Sequence, residues 1–207
     1  MTIKAVVFDI GNVLVEWYPE RPFDRILGEA RRKELFAQID FDTMNLESDR
    51  GIPMAEGLER LVDAHPEHAA EIRLWGVHWL EMLAPDLPHS AKLLRALRAK
   101  GMPVYALSNF GDMTFAMAEE RYPILKEFDK RFVSARMGVI KPDPAIYQML
   151  EEGVDEAPEA LLFIDDRAEN IDAAQARGWH GHLFETEQGL ADRLMAEGLL
   201  TEAEAAP

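Results

Sequence analysis

Several of the polar residues that could do chemistry in this chain stand where its apolar runs end. Asp9 follows Val6-Val7-Phe8, Ser108-Asn109 follows Val104-Tyr105-Ala106-Leu107, and Asp165-Asp166 follows Leu161-Leu162-Phe163-Ile164. Lys141 precedes Asp143-Pro144, and Asn170 comes shortly after the aspartate pair. A carboxylate can attack an electrophile and carry it as a covalent intermediate, or it can hold a hard cation. Hydroxyl, amide and ammonium groups donate to anionic oxygens.

Each residue also has a plain structural reading. Asp9 can start a turn with Gly11-Asn12, and Ser108 can cap the helix that follows it. Lys141 can be a solvated loop residue ahead of a helix that begins at Asp143-Pro144. Asp166 with Glu169 three positions on makes a capping box. Chance explains one such placement far better than it explains the whole series.

The elements that must position these residues read as strands and helices in alternation. The run ending at Phe8 is short, rich in β-branched residues and followed by Gly11-Asn12, which predicts a strand buried on both faces. From Glu16 to about Leu83 the pattern is helical, with helices expected over 22–28, 31–39, 53–64 and 66–82 and no strand among them. Ile72, Trp75, Trp79 and Met82 recur at helical spacing, and Pro22, Pro53 and Pro66 sit where helices start. Helix then alternates with strand: helices over 89–100, 112–120, 144–152 and 168–177, strands over 104–107, 132–134, 161–164 and 182–184. The fold class expected is α/β, a doubly wound parallel sheet with an inserted all-helical cap. The core then spans 1–15 and 84–207, the cap 16–83. Loops at the carboxyl ends of such strands converge on one crevice. The acidic end, 201–207, is expected to fray.

Composition narrows the function classes. With 38 acidic against 22 basic residues the formal net charge is -16, a surface that repels nucleic acid and anionic membranes. The absence of cysteine rules out disulfides and thiolate metal sites. No apolar run approaches membrane-spanning length, and the chain opens directly on a strand-like run, so a cytoplasmic protein, monomer or homodimer, is expected. An anionic substrate would need positive charge built into the site.

The motifs taken together resemble those of the haloacid dehalogenase superfamily. Phe8-Asp9-Ile10-Gly11-Asn12-Val13-Leu14 is similar to its first motif, Leu107-Ser108-Asn109 to its second, Lys141-Pro142 to its third, and Ile164-Asp165-Asp166 with Asn170 to its fourth. The helical insert falls where this family carries a small cap. The Gly11-Asn12 form resembles the bacterial branch acting on glucose 1-phosphate and similar sugar phosphates. The resemblance implies a Mg²⁺-dependent phosphatase of a small phosphorylated metabolite, with Asp9 the nucleophile that forms an aspartyl phosphate. It also implies metal ligation by Asp9, the Gly11 carbonyl and Asp165, with Asp166 and Asn170 orienting waters. Ser108, the Asn109 amide and Lys141 would hold the phosphoryl group. Physical logic agrees, because an attacking oxygen, positive charge and fixed donors are what phosphoryl transfer needs.

One departure stands out. The family's usual second aspartate, general acid and base, is replaced here by Gly11, and general acid catalysis is typically worth about 10²–10⁴-fold. Either another group, from the cap, supplies the proton, or the leaving group needs less help, as an anomeric sugar oxygen does. Gly11→Asp would restore an acid if the backbone angles suit aspartate; a positive φ at position 11 would make that substitution costly. Trp17, Tyr18 and Arg21, on the hinge into the insert, and the Arg50-Gly51 turn are candidates to line the pocket. Trp75 and Trp79 read as cap core, and His65, His68, His180 and His182 as structural or surface residues. The alternatives are a metal-free 2-haloacid dehalogenase using the same aspartate, which the acidic pair at 165–166 argues against, and a non-catalytic binding protein on the same fold.

Overall fold

The computed structural model describes residues 2–207. The chain enters on β1 (Ala5–Phe8) and turns into the short β2 (Val15–Trp17). The insert follows as α1 (Glu20–Leu27), α2 (Glu29–Gln38), α3 (Phe41–Asp49), α4 (Met54–Ala64), α5 (Ala69–Val77) and α6 (Trp79–Met82). β3 (Leu83–Asp86) returns antiparallel to β2. The remainder alternates through α7 (Pro88–Ala99), β4 (Val104–Ser108), α8 (Asp112–Arg121), β5 (Lys130–Val133), α9 (Ser134–Met137), α10 (Pro144–Gly153), β6 (Leu161–Asp165), α11 (Ala168–Ala176) and β7 (His180–Leu183). It ends on α12 (Glu187–Ala196) and α13 (Glu202–Ala205).

The main sheet has five parallel strands in the order β5-β4-β1-β6-β7, so β1 lies at its centre. Strand alternation divides its side chains between two layers. Val6 and Phe8 pack with α7, α8 and α12 residues such as Leu94, Phe115 and Leu190, while Ala5 and Val7 face Ile146, Tyr147 and Ile171 of α10 and α11. A strand covered on both faces must be apolar throughout, which is why its first polar side chain, Asp9, comes only where the strand ends.

Several features differ from the sequence-based expectation, among them α9 and α12, which lie outside the expected helices. β2 and β3 form a two-stranded ribbon at the base of the insert, where only helices are expected; Val15, Glu16 and Trp17 are too few to declare a strand. α3 is absent from the expected set because its buried side chains are confined to Phe41, Met44, Ser48 and Asp49, with Asp40 capping its start by accepting from the Thr43 N–H. The single helix expected over 66–82 is broken, as a short 3₁₀ turn, α5 and α6 meeting at His78. The carboxyl-terminal segment is docked rather than frayed. Thr201 and Glu204 form a capping box, Ala205 is buried, and its carbonyl accepts from His89.

The cap holds together through an aromatic cluster. Phe41 stacks on Trp75 with centroids 4.9 Å apart and planes at 10°. Phe23, fully buried, lies 5.0 Å from Phe36, 5.6 Å from Phe41 and 6.3 Å from Trp75. Truncating such a side chain removes its transfer free energy and leaves a cavity. Phe23→Ala should therefore cost about 3–5 kcal/mol in urea unfolding. A loss well under 1 kcal/mol would mean that the cap is not organised around this ring.

Candidate active site

β4, β1 and β6 are adjacent strands, and their carboxyl ends carry Ser108, Asp9 and Asp165. Lys141 arrives from the loop between α9 and α10. Its Nζ lies 2.6 Å from Asp165 Oδ2 and 3.0 Å from Asp9 Oδ1. Ser108 Oγ donates to Asp9 Oδ1 at 2.6 Å, and the Ile10 N–H donates to the same oxygen at 2.7 Å. Asn109 exchanges two hydrogen bonds with the backbone of Lys141, its Nδ2 donating to the carbonyl and its Oδ1 accepting from the N–H. That reciprocal pair pins the lysine loop against the end of β4.

The plain structural readings of two residues do not hold. Ser108 points at Asp9, and the residue preceding α8 is Gly111. Asp166 makes no cap on α11; Asn12 Nδ2 donates to its Oδ2 at 2.9 Å, and Asp165 Oδ1 instead accepts from the Arg167 N–H. Asn12, whose part the motif alone does not reveal, adopts a left-handed φ of 55° and also accepts from the Trp17 N–H, clipping the ribbon to the site. Asp143 does cap α10, as expected from Asp143-Pro144.

Electrostatics follow from burial. Asp9 is raised to about 6, first by desolvation, with Lys141 pulling it down and Asp165 pushing it up. Desolvation alone would depress the Lys141 ammonium, but Asp165 and Asp9 outweigh it and hold it above its ordinary value.

Carboxylate oxygens of Asp9, Asp165 and Asp166 lie within 4.8 Å of one another. One ammonium pairs with two of these three carboxylates, so the cluster carries surplus negative charge. Asn170 Nδ2 donates to Asp165 Oδ1, while its buried Oδ1 has no protein partner, as an acceptor waiting for a bound water would. An all-oxygen donor set with an adjacent orphaned acceptor fits a hydrated Mg²⁺.

A cavity of about 600 Å³ opens over this floor. Trp17 and Gly11 line it. Arg21 does not: its guanidinium donates to the carbonyls of Glu81 and Ala84, pairs with Glu16 at 2.9 Å and lies over Tyr18, which is exposed. The pull of those acceptors turns Arg21 to the hinge instead of the pocket, and the Arg50 side chain is likewise outside the lining. Trp75 and Trp79, expected purely as cap core, line the cavity as well as packing. Sequence reasoning missed the wall made by α3. Asp42, Asn45, Leu46 and Asp49 fall at positions i, i+3, i+4 and i+7, a single helical face turned to the cavity. Asp40 as an N-cap was the available signal for that helix.

A model of haloacid dehalogenase-like hydrolases matches residues 3–178. The chain belongs to that family. It is accordingly a hydrolase, and relatives matching it along most of their length are named as phosphatases. A sesquiterpene phosphatase of Aspergillus oryzae is 30% identical over 89% of this chain and 92% of its own. A phosphatase of Mycobacterium tuberculosis is 27% identical over 89% and 88%. Among solved structures, a haloacid dehalogenase family enzyme of Bacteroides thetaiotaomicron shares the fold with a TM-score of 0.71 at 24% identity, over 89% of this chain and 95% of its own. Among the described residues no helix is long and apolar enough to cross a membrane.

The carboxylate cluster generates a direct prediction. A ligand that binds only the folded state stabilises it, by about 2.7 kcal/mol at a hundredfold excess over Kd. Mg²⁺ should raise the melting temperature of the wild type and not that of Asp165→Asn. Equal shifts in both, or none in either, would show that the ion does not bind at this cluster.

Proposed function

We propose that this hydrolase is a Mg²⁺-dependent phosphatase that works through an aspartyl phosphate on Asp9, with a small phosphorylated metabolite as substrate. The observation that carries the reading is the convergence of Asp9, Ser108 and Lys141 on one cavity floor, with Asp165 fully buried behind it and paired with Lys141. Asp9 is hydrogen-bonded through Oδ1, which aims its carboxylate and restrains its rotation. Ser108 and Lys141 exchange their contacts with Asp9 for the phosphoryl oxygens as these approach. Bound Mg²⁺, held by Asp9, the Gly11 carbonyl, Asp165 and Asp166, would supply charge that offsets the phosphate's own. The Bacteroides enzyme of the same fold has been crystallised with magnesium and inorganic phosphate. A metal-free dehalogenation would have no use for three clustered carboxylates.

The cavity favours a substrate whose body is uncharged. Among its lining residues the cations are Lys141 and Arg167, both on the core side, whereas α3 contributes Asp42 and Asp49. A second anionic group would meet carboxylates. Trp17, Trp75, Trp79 and Phe110 offer ring faces instead. The polar, uncharged Asn45 and Thr114 of the same lining suit a hydroxylated body such as a sugar phosphate. The indole walls, with the similarity to a sesquiterpene phosphatase, support an isoprenoid monophosphate as the second reading.

Hydrolysis of 4-nitrophenyl phosphate should require both Mg²⁺ and Asp9, and Asp9→Asn should reduce it to background. Activity surviving that variant or a chelator would remove the aspartyl-phosphate proposal. With Mg²⁺ present, glucose 1-phosphate or farnesyl monophosphate should exceed phosphoglycolate in kcat/KM by about tenfold or more, the scale of 1.4 kcal/mol. A preference for phosphoglycolate would overturn the uncharged-body assignment. Halide release from 2-chloropropionate without phosphate release would select dehalogenation.

A further inference from the structure

Cleaving an alkyl phosphate releases an alkoxide that needs a proton, and Gly11 beside the nucleophile has no side chain to give one. Glycine is not there for want of room or for a special turn. Its φ lies outside the left-handed region, and a Cβ built on it meets nothing closer than Trp17 Cβ at 3.8 Å. The position is vacant by choice of residue, so the proton must come from elsewhere in the cavity.

One carboxyl in the cavity is buried, unpaired with any cation, and outside the carboxylate cluster. Asp49, at the carboxyl end of α3, is 8% exposed and lines the cavity together with Asp9. Its side chain accepts from Asn45 Nδ2 at 3.3 Å. Asp42, earlier on the same face, is exposed, and Asp166 belongs to the cluster.

The cap is fastened to the core at this residue. Ser134 Oγ accepts from the Phe110 N–H at 2.9 Å and donates to the Asp49 carbonyl at 2.6 Å. The fit around that bond is close enough to demand glycine on both sides. A Cβ on Gly111 would lie 2.5 Å from Ser48 Oγ, and one on Gly51, with φ 105°, 2.9 Å from the Ala135 carbonyl oxygen. The end of α3 is thus set by the loop that follows the phosphate-binding Ser108.

We propose that Asp49 is the general acid and base of the reaction, delivered to the core site by the cap. The inference rests on the aspartyl-phosphate reading above. As Asp9 attacks phosphorus and the ester P–O bond breaks, the Asp49 carboxyl gives its proton to the departing oxygen. Its carboxylate then takes a proton from the water that attacks the acyl phosphate, and Asp9, inorganic phosphate and protonated Asp49 are restored. Burial first, and the Asp9 carboxylate second, push Asp49 up to about 7, so a protonated fraction is present at neutral pH. The charged groups acting on it are Asp9 and Lys141 from the core and Arg50 from its own turn; Asp42, Asp166 and Arg167 line the same cavity.

The test is a leaving-group series on Asp49→Asn, which keeps the shape and the Asn45 contact. The wild type should cleave 2-phenylethyl phosphate with kcat/KM falling as pH rises through the donor's range. In the variant kcat/KM for that ester should fall about 10²–10⁴-fold and lose the basic limb, while kcat/KM for 4-nitrophenyl phosphate, which ends at transfer to Asp9 and whose leaving group needs no proton, changes only a few-fold; kcat should fall for both, because both share hydrolysis of the acyl phosphate. Adding Gly11→Asp to Asp49→Asn should recover part of the alkyl ester rate, because a Cβ at position 11 meets nothing closer than 3.8 Å. Equal losses of kcat/KM on both esters, or no loss on the alkyl ester, would overturn the assignment to Asp49. Activity in Asp9→Asn would instead defeat the underlying mechanism, so the two failures are distinguishable.

Discussion

The Lys141 ammonium between the Asp9 and Asp165 carboxylates is the contact on which the rest of the site depends. All three groups are buried, and an ion taken out of water costs several kcal/mol unless it is paired and hydrogen-bonded. The pairing here needs the carboxyl ends of β1 and β6 side by side and a loop that reaches across from α10. Parallel strand order supplies the first, and the Asn109–Lys141 backbone clasp supplies the second. The charge does not close within the protein, because the carboxylates outnumber the single buried ammonium. A cluster left anionic in this way is set up to take a cation, and then a phosphate.

In the proposed mechanism the cap completes the chemistry rather than merely covering it. Its aromatic cluster gives the cavity apolar walls, and its third helix turns a polar face toward the cavity that Asp9 lines. Water excluded by such a roof strengthens every electrostatic contact on the floor. The β2–β3 ribbon joins the two parts, with Asn12 tied both to Trp17 on the ribbon and to Asp166 on the floor. Motion of the ribbon would therefore be felt at the carboxylate cluster.

Much of this was legible in the sequence, for identifiable reasons. Strands buried on both faces must be apolar, so Asp9, Ser108 and Asp165 announce themselves as the first polar residues after such runs. The positions of α7, α10 and α11 follow from helical periodicity ended by Gly101, introduced by Asp143-Pro144 and closed by Gly178. What escaped has weak local signals. The β2–β3 ribbon is short and its partners are far apart in sequence, so no local pattern marks it. α3 hides because the face that should be apolar carries Ser48 and Asp49, residues buried against the core and the cavity rather than in a hydrophobic layer. Arg21 stands on the hinge into the insert, where a residue could line the pocket, but the carbonyls at 81 and 84, which claim it, come from a distant stretch of chain. The docked end, too, depends on long-range contacts from His89 and Lys100.

The central claim is that the attacking oxygen belongs to Asp9. It is tested most directly by quenching the enzyme in acid during turnover, reducing with borohydride and sequencing the peptides by mass spectrometry. An acyl phosphate is reduced where a free carboxylate is not. The account predicts homoserine at position 9, dependent on both substrate and Mg²⁺. Unmodified aspartate there under steady turnover, or reduction at Asp165, Asp166 or Asp49 instead, would contradict it.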